Sequence, residues 1–529
     1  MRLVKFLLAA LLACASAAGP AVAQKQGGIL RMYSPDSPAS MSIHEEATVY
    51  AQGPMMGVFN NLIMFDPHIR QSSLDSIRPD LATSWKWNED KSVLNFTLRE
   101  GVRWHDGKPF TAKDVVCTFD LLMGRATEKL RVNPRGSNFK ALDRVTADSD
   151  LSVTFHLKRP QPAFPILLAT GFGSIYPCHV PAAQMRRAPI GTGPFKFVEF
   201  KPNEIIKVAR NPDYWKPGLP YLDGIEYQII RNASTATLAF VSGKVDMTFT
   251  HDLLPPIYRD VRGQAPDSIC EMTPAGGVYR TLMVNRTTPP FDNADLRRAM
   301  SLSLDRKAFV DIITEGEGQA GGVLQPPPGG RWGLPPDKLA ELPGYSADVA
   351  KSRAEARAMM EKLGYGPNKR LPIKMMTRDL ANYRNPAIRA IDQLREIYID
   401  AELEAVDTSL FFPRLIRKDF TVALSLMTSG PDPDPVLDLF YSCTGSLNND
   451  GYCNAEVDKL IEQQSMEDNP DKRRQMVWDI ERKLVEDGAR PVIFYTNAGT
   501  CWKPYVKGVT MMVNSLYNAN RREDVWLDK

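Results

Sequence analysis

Two aspartates attract attention first, because prolines enclose them. In the stretch TSGPDPDPVLDLFYSC, residues 428–443, Asp432 and Asp434 alternate with three prolines. Proline fixes φ and cannot donate a backbone hydrogen bond, so we predict a rigid, irregular loop that is neither a helix interior nor a central strand. The carboxylates of such a loop could bind a metal ion, pair with a positive charge on a ligand, or face water.

Motifs for other chemistries are absent or incomplete. The six histidines are scattered without ligand spacing, and His44-Glu45 lacks the second histidine of an H-E-x-x-H zinc site. A G-x-G-x-x-G match at 316–321 is followed by glycine and prolines, where a dinucleotide site needs a helix N-terminus. The sequence therefore predicts no catalytic residue, no metal and no cofactor, and an exported hydrolase is the weaker alternative.

Several aromatic side chains favour a binding cleft. They lie in or beside irregular segments rather than in periodic core runs, and they are Tyr33, Tyr50, Tyr279, Tyr383, Phe411 and Phe412. An apolar cleft with a few polar anchors is typical of small-ligand sites. The alternative for each single residue is that it caps the edge of a domain.

Charge and cysteine content narrow the class of protein. The formal net charge is +3 over 529 residues, and no run of five like charges suggests binding to nucleic acid or an anionic membrane. Cys443 and Cys453 are close enough along the chain to form a disulfide in an oxidising compartment. We expect Cys117, inside VVCTFDLL, to be a buried thiol, and the pairing of Cys178, Cys270 and Cys501 stays open.

The first 23 residues have the parts of a secretory signal peptide. A basic start and a short apolar run are followed by Ala21-Val22-Ala23, an A-x-A cleavage site. Lipidation of Cys14 is the alternative. No later stretch has the roughly 18 consecutive apolar residues of a spanning helix. We therefore expect an exported, periplasmic protein.

Hydrophobic periodicity predicts a mixture of strands and helices. Apolar and polar residues alternate at 94–98, 151–157 and 225–229, which predicts half-buried strands. Helices are predicted after the caps Asn454 and Asn469, and over 295–313. With roughly 500 mature residues, this indicates a mixed α/β or α+β protein of two or three domains.

Longer phrases resemble those of a known family, the family 5 extracellular solute-binding proteins of bacterial ABC importers, in its dipeptide- and oligopeptide-binding group. They include REGVRWHDGKPFTAKDVVCTFDLL (99–122), PIGTGPFKFVEFKP (189–202), RNPDYWKPGLPYLDGIEYQII (210–230) and PPFDNADLRRAMSLSLDRKAF (289–309). The resemblance covers the mature chain in the family's order. It implies the α/β class and a two-lobed periplasmic binding protein fold with a small extra domain inserted in the first lobe.

The resemblance also implies domain boundaries and partners. Lobe 1 would comprise 24–70, 190–283 and 498–529, the inserted domain 71–189, and lobe 2 284–497. Crossovers between the lobes are expected near the end of 276–285 and within 491–499. The protein would be a monomer that captures a peptide or peptide-like solute and delivers it to a membrane permease. The same fold also serves for opines, oligosaccharides, nickel chelates and haem.

Site residues follow from the same resemblance. The aspartate that pairs with a peptide amine in dipeptide binders corresponds to Ser429 here, and Asp432 or Asp434 could substitute if the loop shifts. The arginine for the peptide carboxylate corresponds to Asn382, with Arg384 two residues along. We add Gly276, the first residue of the first crossover segment. The expected ligand set is Tyr33, Tyr50, Gly276, Tyr279, Tyr383, Arg384, Phe411, Ser429, Asp432 and Asp434.

Overall fold

The computed structural model describes residues 24–274, 277–515 and 518–529. The predicted signal peptide, Cys14 and Gly276 lie outside these residues. The strands are β1 (Ile29–Ser34), β2 (Ile63–Phe65), β3 (Ile77–Pro79), β4 (Ala82–Trp87), β5 (Val93–Leu98), β6 (Leu142–Ser149), β7 (Ser152–Leu157), β8 (Phe195–Lys201), β9 (Ile205–Arg210), β10 (Gly224–Ile229), β11 (Ile269–Thr273), β12 (Val278–Val284), β13 (Gly318–Gln319), β14 (Leu371–Arg378), β15 (Ile399–Val406), β16 (Val422–Thr428), β17 (Val492–Thr496), β18 (Ala498–Trp502), β19 (Val506–Lys507) and β20 (Trp526–Leu527).

Helices are interspersed with these strands along the chain. They are α1 (Val49–Met55), α2 (Ala112–Leu122), α3 (Phe164–Ala169), α4 (Ala182–Met185), α5 (Ala233–Val241), α6 (Pro255–Gln264), α7 (Ala294–Leu302), α8 (Arg306–Ile313), α9 (Pro336–Ala340), α10 (Val349–Lys362), α11 (Ala381–Arg395), α12 (Thr408–Ile416), α13 (Pro433–Phe440), α14 (Ala455–Met466) and α15 (Pro470–Glu486). The described residues contain no helix that is both long and apolar enough to cross a membrane.

The first lobe is built on a four-stranded sheet with the order β1-β10-β9-β8. β1 pairs with β10 in parallel, and the other pairs are antiparallel. Its core contains Leu30, Met32, Ile206 and Tyr227, all buried. The predicted strand at 225–229 is confirmed as β10.

A smaller antiparallel sheet, β4-β5-β7-β6, has a core of its own. Leu94, Phe96 and Leu98 of β5 pack inward and alternate with more exposed neighbours, as period two requires. Phe155 of β7 packs edge-to-face on Phe96, with ring centroids 5.4 Å apart. The predicted strands at 94–98 and 151–157 are therefore confirmed. We call this unit the small domain.

The second lobe is built on a six-stranded sheet, β13-β17-β12-β16-β14-β15. β14 pairs in parallel with β15 and β16, whereas β12 is antiparallel to both of its neighbours. The predicted caps are confirmed: Asn469 accepts hydrogen bonds from the first turn of α15, and Asn454 from that of α14. The expected single helix at 295–313 is wrong. Asp305 caps a new helix there, so α7 and α8 are separate.

Two antiparallel strand pairs connect the lobes. β11 pairs with β18 on the first lobe, and β12 pairs with β17 in the large sheet. The chain therefore crosses between β11 and β12, and again between Thr496 and Ala498. β12 lies wholly in the large sheet, whereas the expected boundary between the lobes, 283/284, lies within this strand.

Three disulfides occur among the described residues. Cys443 pairs with Cys453, and Cys270 pairs with Cys501, its register partner across β11 and β18. The expectation of a free thiol at Cys117 is wrong, because Cys117 pairs with Cys178. The apolar environment of α2 suggested a buried thiol, and no sequence spacing pointed to a partner 61 residues away.

Candidate functional site

A cavity of about 220 Å³ lies where the two lobes and the small domain meet. The first lobe contributes α1 and the segment 249–254, the small domain contributes residues around Arg135 and Phe172, and lobe 2 contributes β12, β16 and the start of α13. The lining is mainly apolar, and four of its side chains carry charge, namely Arg135, Asp252, Arg280 and Arg378. A ligand in this cavity would contact both lobes.

The register of β12 decides which of its residues face the cavity. Val278 and Arg280 line it, because alternate side chains of a strand share one face. Tyr279 points to the other face, where its ring lies 5.1 Å from that of Tyr495. The structure therefore places Tyr279 outside the cavity lining, one residue of register away from the side chains that line it.

Arg280 is a buried cation without a hydrogen-bonding partner among the described residues. Its side chain is 1% exposed, and its Nε and Nη1 atoms have no acceptor among the described residues. Its guanidinium lies over the ring of Phe494, 5.1 Å from the centroid. Burial lowers the pKa of Arg280 to about 10, which still leaves it charged at neutral pH.

The wall formed by lobe 1 carries the opposite charge. Asp252 lines the cavity and accepts a hydrogen bond of 2.8 Å from the Tyr33 hydroxyl. Burial raises the pKa of Asp252 to about 6, against the opposing effect of that hydrogen bond. The structure places Tyr33 outside the cavity lining, where its hydroxyl donates to Asp252. Tyr50 does line it, as expected.

Arg378 differs from Arg280 because all of its nitrogens are bonded. It donates to Thr408 Oγ1 (3.1 Å from Nε), the Tyr383 hydroxyl (3.0 Å from Nη1) and Asp36 (2.7 Å from Nη2). Since Asp36 belongs to lobe 1, this ion pair connects the two lobes beside the cavity. Tyr383 lines the cavity as expected.

The structure does not place Phe411 in the cavity lining. It is fully buried in the cluster that joins the two lobes, whereas its neighbour Phe412 lines the cavity. Helix α12 therefore turns Phe411 inward against Tyr383, with ring centroids 6.1 Å apart.

Ser429 faces the cavity at the end of β16. It is 1% exposed, its amide donates to the Gly277 carbonyl (3.0 Å), and its Oγ has no partner among the described residues. A hydroxyl thus occupies the position where the resemblance places a carboxylate. The adjacent Gly276 lies outside the described residues.

The two aspartates of the proline-rich stretch do not line the cavity, so the structure does not bring them together with the other expected ligand residues. Asp432 is the N-cap of α13, and Pro433 is in its first turn, which makes this stretch a helix start and not an irregular loop. Arg473 donates to both oxygens of Asp432, each at 2.8 Å, and to Asp434 at 3.0 Å. Asp434 also accepts from Gln161 of the small domain (2.8 Å). All of these groups are buried, so the two carboxylates are paired within the protein.

Arg384 is likewise outside the cavity. Its side chain is 44% exposed and pairs with Asp379 at 2.7 Å on the surface of α11. The helix carries Asn382 and Tyr383 toward the cavity and Arg384 away from it.

Further contacts hold lobe 2 against the small domain. The Ser137 and Ser446 hydroxyls are 3.1 Å apart, and Lys140 forms an ion pair with the buried Asp438. Lys91 and Asp468 form an exposed pair at 2.5 Å. The lobes are therefore in contact around the cavity, in a closed arrangement.

Asp252, Arg280 and Arg378 were missed by sequence reasoning. The sequence does single out Arg280, because it is the one charged residue of the otherwise apolar stretch VYRTLMV (278–284). A charge that a core strand buries normally needs a partner. Asp252 carries no comparable signal.

The sequence profile of the bacterial extracellular solute-binding proteins, family 5 Middle, matches residues 76–448. The chain belongs to the family 5 solute-binding proteins. Among similar proteins, the oligopeptide-binding protein AppA of Bacillus subtilis is 26% identical over 441 residues, covering 80% of this chain and 79% of AppA. The murein peptide-binding protein MppA of Escherichia coli is 26% identical over 540 residues, covering 96% and 93%.

Solved structures of family 5 proteins share this fold. The structure of B. subtilis AppA with a nonapeptide has a TM-score of 0.82 at 23% identity, covering 96% of this chain and all of that one. The structure of AgaA with agropinic acid, from A. tumefacien R10, has a TM-score of 0.81 at 20% identity, covering 95% and 99%. These likenesses establish the two-lobed α/β architecture of a family 5 binding protein.

Proposed function

We propose that this family 5 protein is the periplasmic substrate-binding component of an ABC importer, that it captures a small peptide or peptide-like solute, and that it delivers this solute to a membrane permease as a monomer. The carrying observation is the cavity between the lobes, which residues of both lobes and of the small domain line together. Two similar proteins, AppA and MppA, are named as peptide-binding proteins, which supports a peptide as the ligand class. Residues 1–23 would be removed on export.

Closure of the lobes is the step that such a cavity serves. A ligand that touches both lobes binds the closed state more tightly than the open one, and only this difference shifts the equilibrium. The closed state then presents one surface, made of both lobes, to the permease. We propose lobe boundaries at 24–70, 190–274 and 498–529 for lobe 1, 71–189 for the small domain, and 277–497 for lobe 2.

The size of the cavity favours a small ligand. Its volume of about 220 Å³ lies below the range of roughly 300–1,000 Å³ that is usual for ligand pockets. A dipeptide or tripeptide, or a solute of that size, fits this volume better than a long oligopeptide.

A thermal-shift screen tests this function. Pools of dipeptides and tripeptides are added to the purified mature protein, and a binding pool should raise Tm by mass action. Radii of gyration from small-angle X-ray scattering, with and without the best pool, should show compaction. Arg384→Ala serves as the control variant and should respond like the wild type, because Arg384 lies outside the cavity. If no peptide pool moves Tm, the peptide class is wrong.

A second candidate is a non-peptide solute, such as an opine, and one observation favours it. Ser429 offers the cavity a neutral hydroxyl, which cannot form the ion pair that a carboxylate forms with a peptide amine. The same screen with opines and oligosaccharides separates the two candidates, since only one class should raise Tm.

A further inference from the structure

Arg280 is the feature of the cavity that lacks an explanation within the protein. Its guanidinium is buried, is charged at neutral pH and makes no hydrogen bond to any described residue. An isolated buried charge costs several kcal/mol in stability, so it is normally paired. A partner supplied by the ligand would remove this cost when the lobes close.

The other cationic groups of the cavity do not share this property. Arg378 bonds Asp36, Thr408 and Tyr383. Arg135 donates to the Glu46 carbonyl at 2.9 Å and lies over the Phe172 ring. Of the described lining residues, Arg280 is thus the cation left for an anionic group of a ligand.

Asp252 gives the opposite wall a matching acid. Among the described residues, it forms no ion pair and accepts a hydrogen bond from Tyr33 only. It forms no ion pair with Arg280 either, so the cavity presents two opposite charges that do not satisfy each other. Tyr50 lines the same cavity and interacts with both charges. The charge of Asp252 adds to burial in raising the pKa of Tyr50, and Tyr50 in turn raises the pKa of Arg280.

We propose that the ligand is a small zwitterion, whose carboxylate binds Arg280 of lobe 2 and whose cationic group binds Asp252 of lobe 1. This inference rests on the proposed solute-binding function. Arginine suits the task because its planar fork donates two parallel hydrogen bonds to one carboxylate. Since the two charges belong to different lobes, one zwitterion would bridge the lobes. The distance between its two charges would then help the cavity to select it.

The first experiment compares four dipeptide pools that differ only at their ends. They are free at both ends, amidated at the C-terminus, acetylated at the N-terminus, or blocked at both. The free pool should bind the wild type most tightly, and each single block should weaken binding by about 10- to 100-fold. Equal binding of free and blocked pools would overturn the inference while leaving peptide binding intact.

Variants assign each end to its residue. Arg280→Met removes the charge at similar length and should abolish the difference between the free-acid and amide pools. Asp252→Asn keeps an acceptor for Tyr33 and should abolish the difference between the free-amine and acetylated pools. If either variant keeps the full discrimination at its end, the assignment is wrong.

Stability without ligand gives an independent readout. Arg280→Met should raise the Tm of the ligand-free protein, because it removes an unpaired buried charge. Arg306→Met is the matched control in the same lobe: Arg306 is buried but donates to the Val492 carbonyl at 2.8 Å, so its loss should lower Tm. If no peptide pool binds the wild type, the proposed peptide function fails. The Tm values of Arg280→Met and Arg306→Met then test on their own whether Arg280 is an unpaired buried charge. A fall in Tm for Arg280→Met would overturn the inference.

Discussion

At the scale of the residue, two arginines of equal charge differ in how much they contribute to stability. Arg473 is buried and bonded to two aspartates, and Arg384 pairs with Asp379 at the surface. A buried charge network depends on every member, because the loss of one leaves the others unpaired and out of water. An exposed pair gains little, since water and salt screen it.

We therefore predict a large contrast between two alanine variants. Arg473→Ala should lower the free energy of unfolding by about 3–5 kcal/mol, since it leaves two buried carboxylates without their cationic partner. Arg384→Ala should change it by about 0–1 kcal/mol. Urea unfolding, followed by circular dichroism, measures both. Similar losses in the two variants would contradict the assignment of Asp432 and Asp434 to structure.

Side-chain direction limited the sequence prediction of the site. Tyr50, Tyr383 and Ser429 were expected in the cavity and line it, whereas Tyr279 and Phe411 are each one residue away from a neighbour that does. Sequence indicates that an aromatic cleft exists, but a shift of one residue reverses the face of a strand. Arg473, 39 residues beyond Asp434, supplies a long-range contact that no local pattern encodes.

At the scale of the element, periodicity predicted β5, β7, β10 and two capped helices well. It failed where a tertiary contact overrides it, as at Asp305, which begins a new helix. Its cap is local, but the Asp305 amide also donates to the Gln393 side chain of α11 at 2.7 Å, a contact that the sequence does not reveal.

The carboxyl group of Glu481, on helix α15, holds the long loop that contains Leu324 and Leu334. The Glu481 oxygens accept hydrogen bonds from the Leu324 amide (2.9 Å) and the Leu334 amide (2.6 Å). Burial raises the pKa of Glu481 to about 8, so the ionised form with two acceptor oxygens prevails above this pH. Glu481→Gln places an NH₂ group against one of these donors, and at about pH 9 we predict a loss of about 1–3 kcal/mol in the free energy of unfolding. Glu486→Gln, on the exposed side of the same helix, should be neutral. Thermal unfolding of both variants checks this, and equal Tm values would contradict it.

The Cys443–Cys453 disulfide closes a short segment after α13. Replacing both cysteines by serine should cost about 2–3 kcal/mol of stability, by the chain-entropy estimate for a loop of this length. The measurement is the urea midpoint of the double variant beside the wild type. The cavity should keep its ligand response, because neither cysteine lines it. An unchanged midpoint would show that the bridge contributes nothing.

At the scale of the whole molecule, closure brings Asp438 of lobe 2 against Lys140 of the small domain. Burial raises the pKa of Asp438 to about 7, with Lys140 and Arg159 opposing this shift and Asp434 adding to it. In an open state the carboxyl would meet water and return toward its ordinary pKa. Closure therefore takes up a proton between about pH 4 and 7, so the closed state is favoured as pH falls through this window.

We predict that the equilibrium constant for closure rises on the order of tenfold from about pH 8 to pH 6, because one carboxyl binds one proton on closing. Small-angle X-ray scattering of the ligand-free protein at both pH values measures the closed fraction. Asp438→Asn should remove this part of the pH dependence, while Asp252, whose pKa of about 6 also lies in this range, stays in both proteins. Asp468→Asn is the matched control, since Asp468 of lobe 2 also pairs with Lys91 of the small domain but is exposed. If Asp438→Asn keeps the wild-type dependence, proton uptake at Asp438 does not control closure.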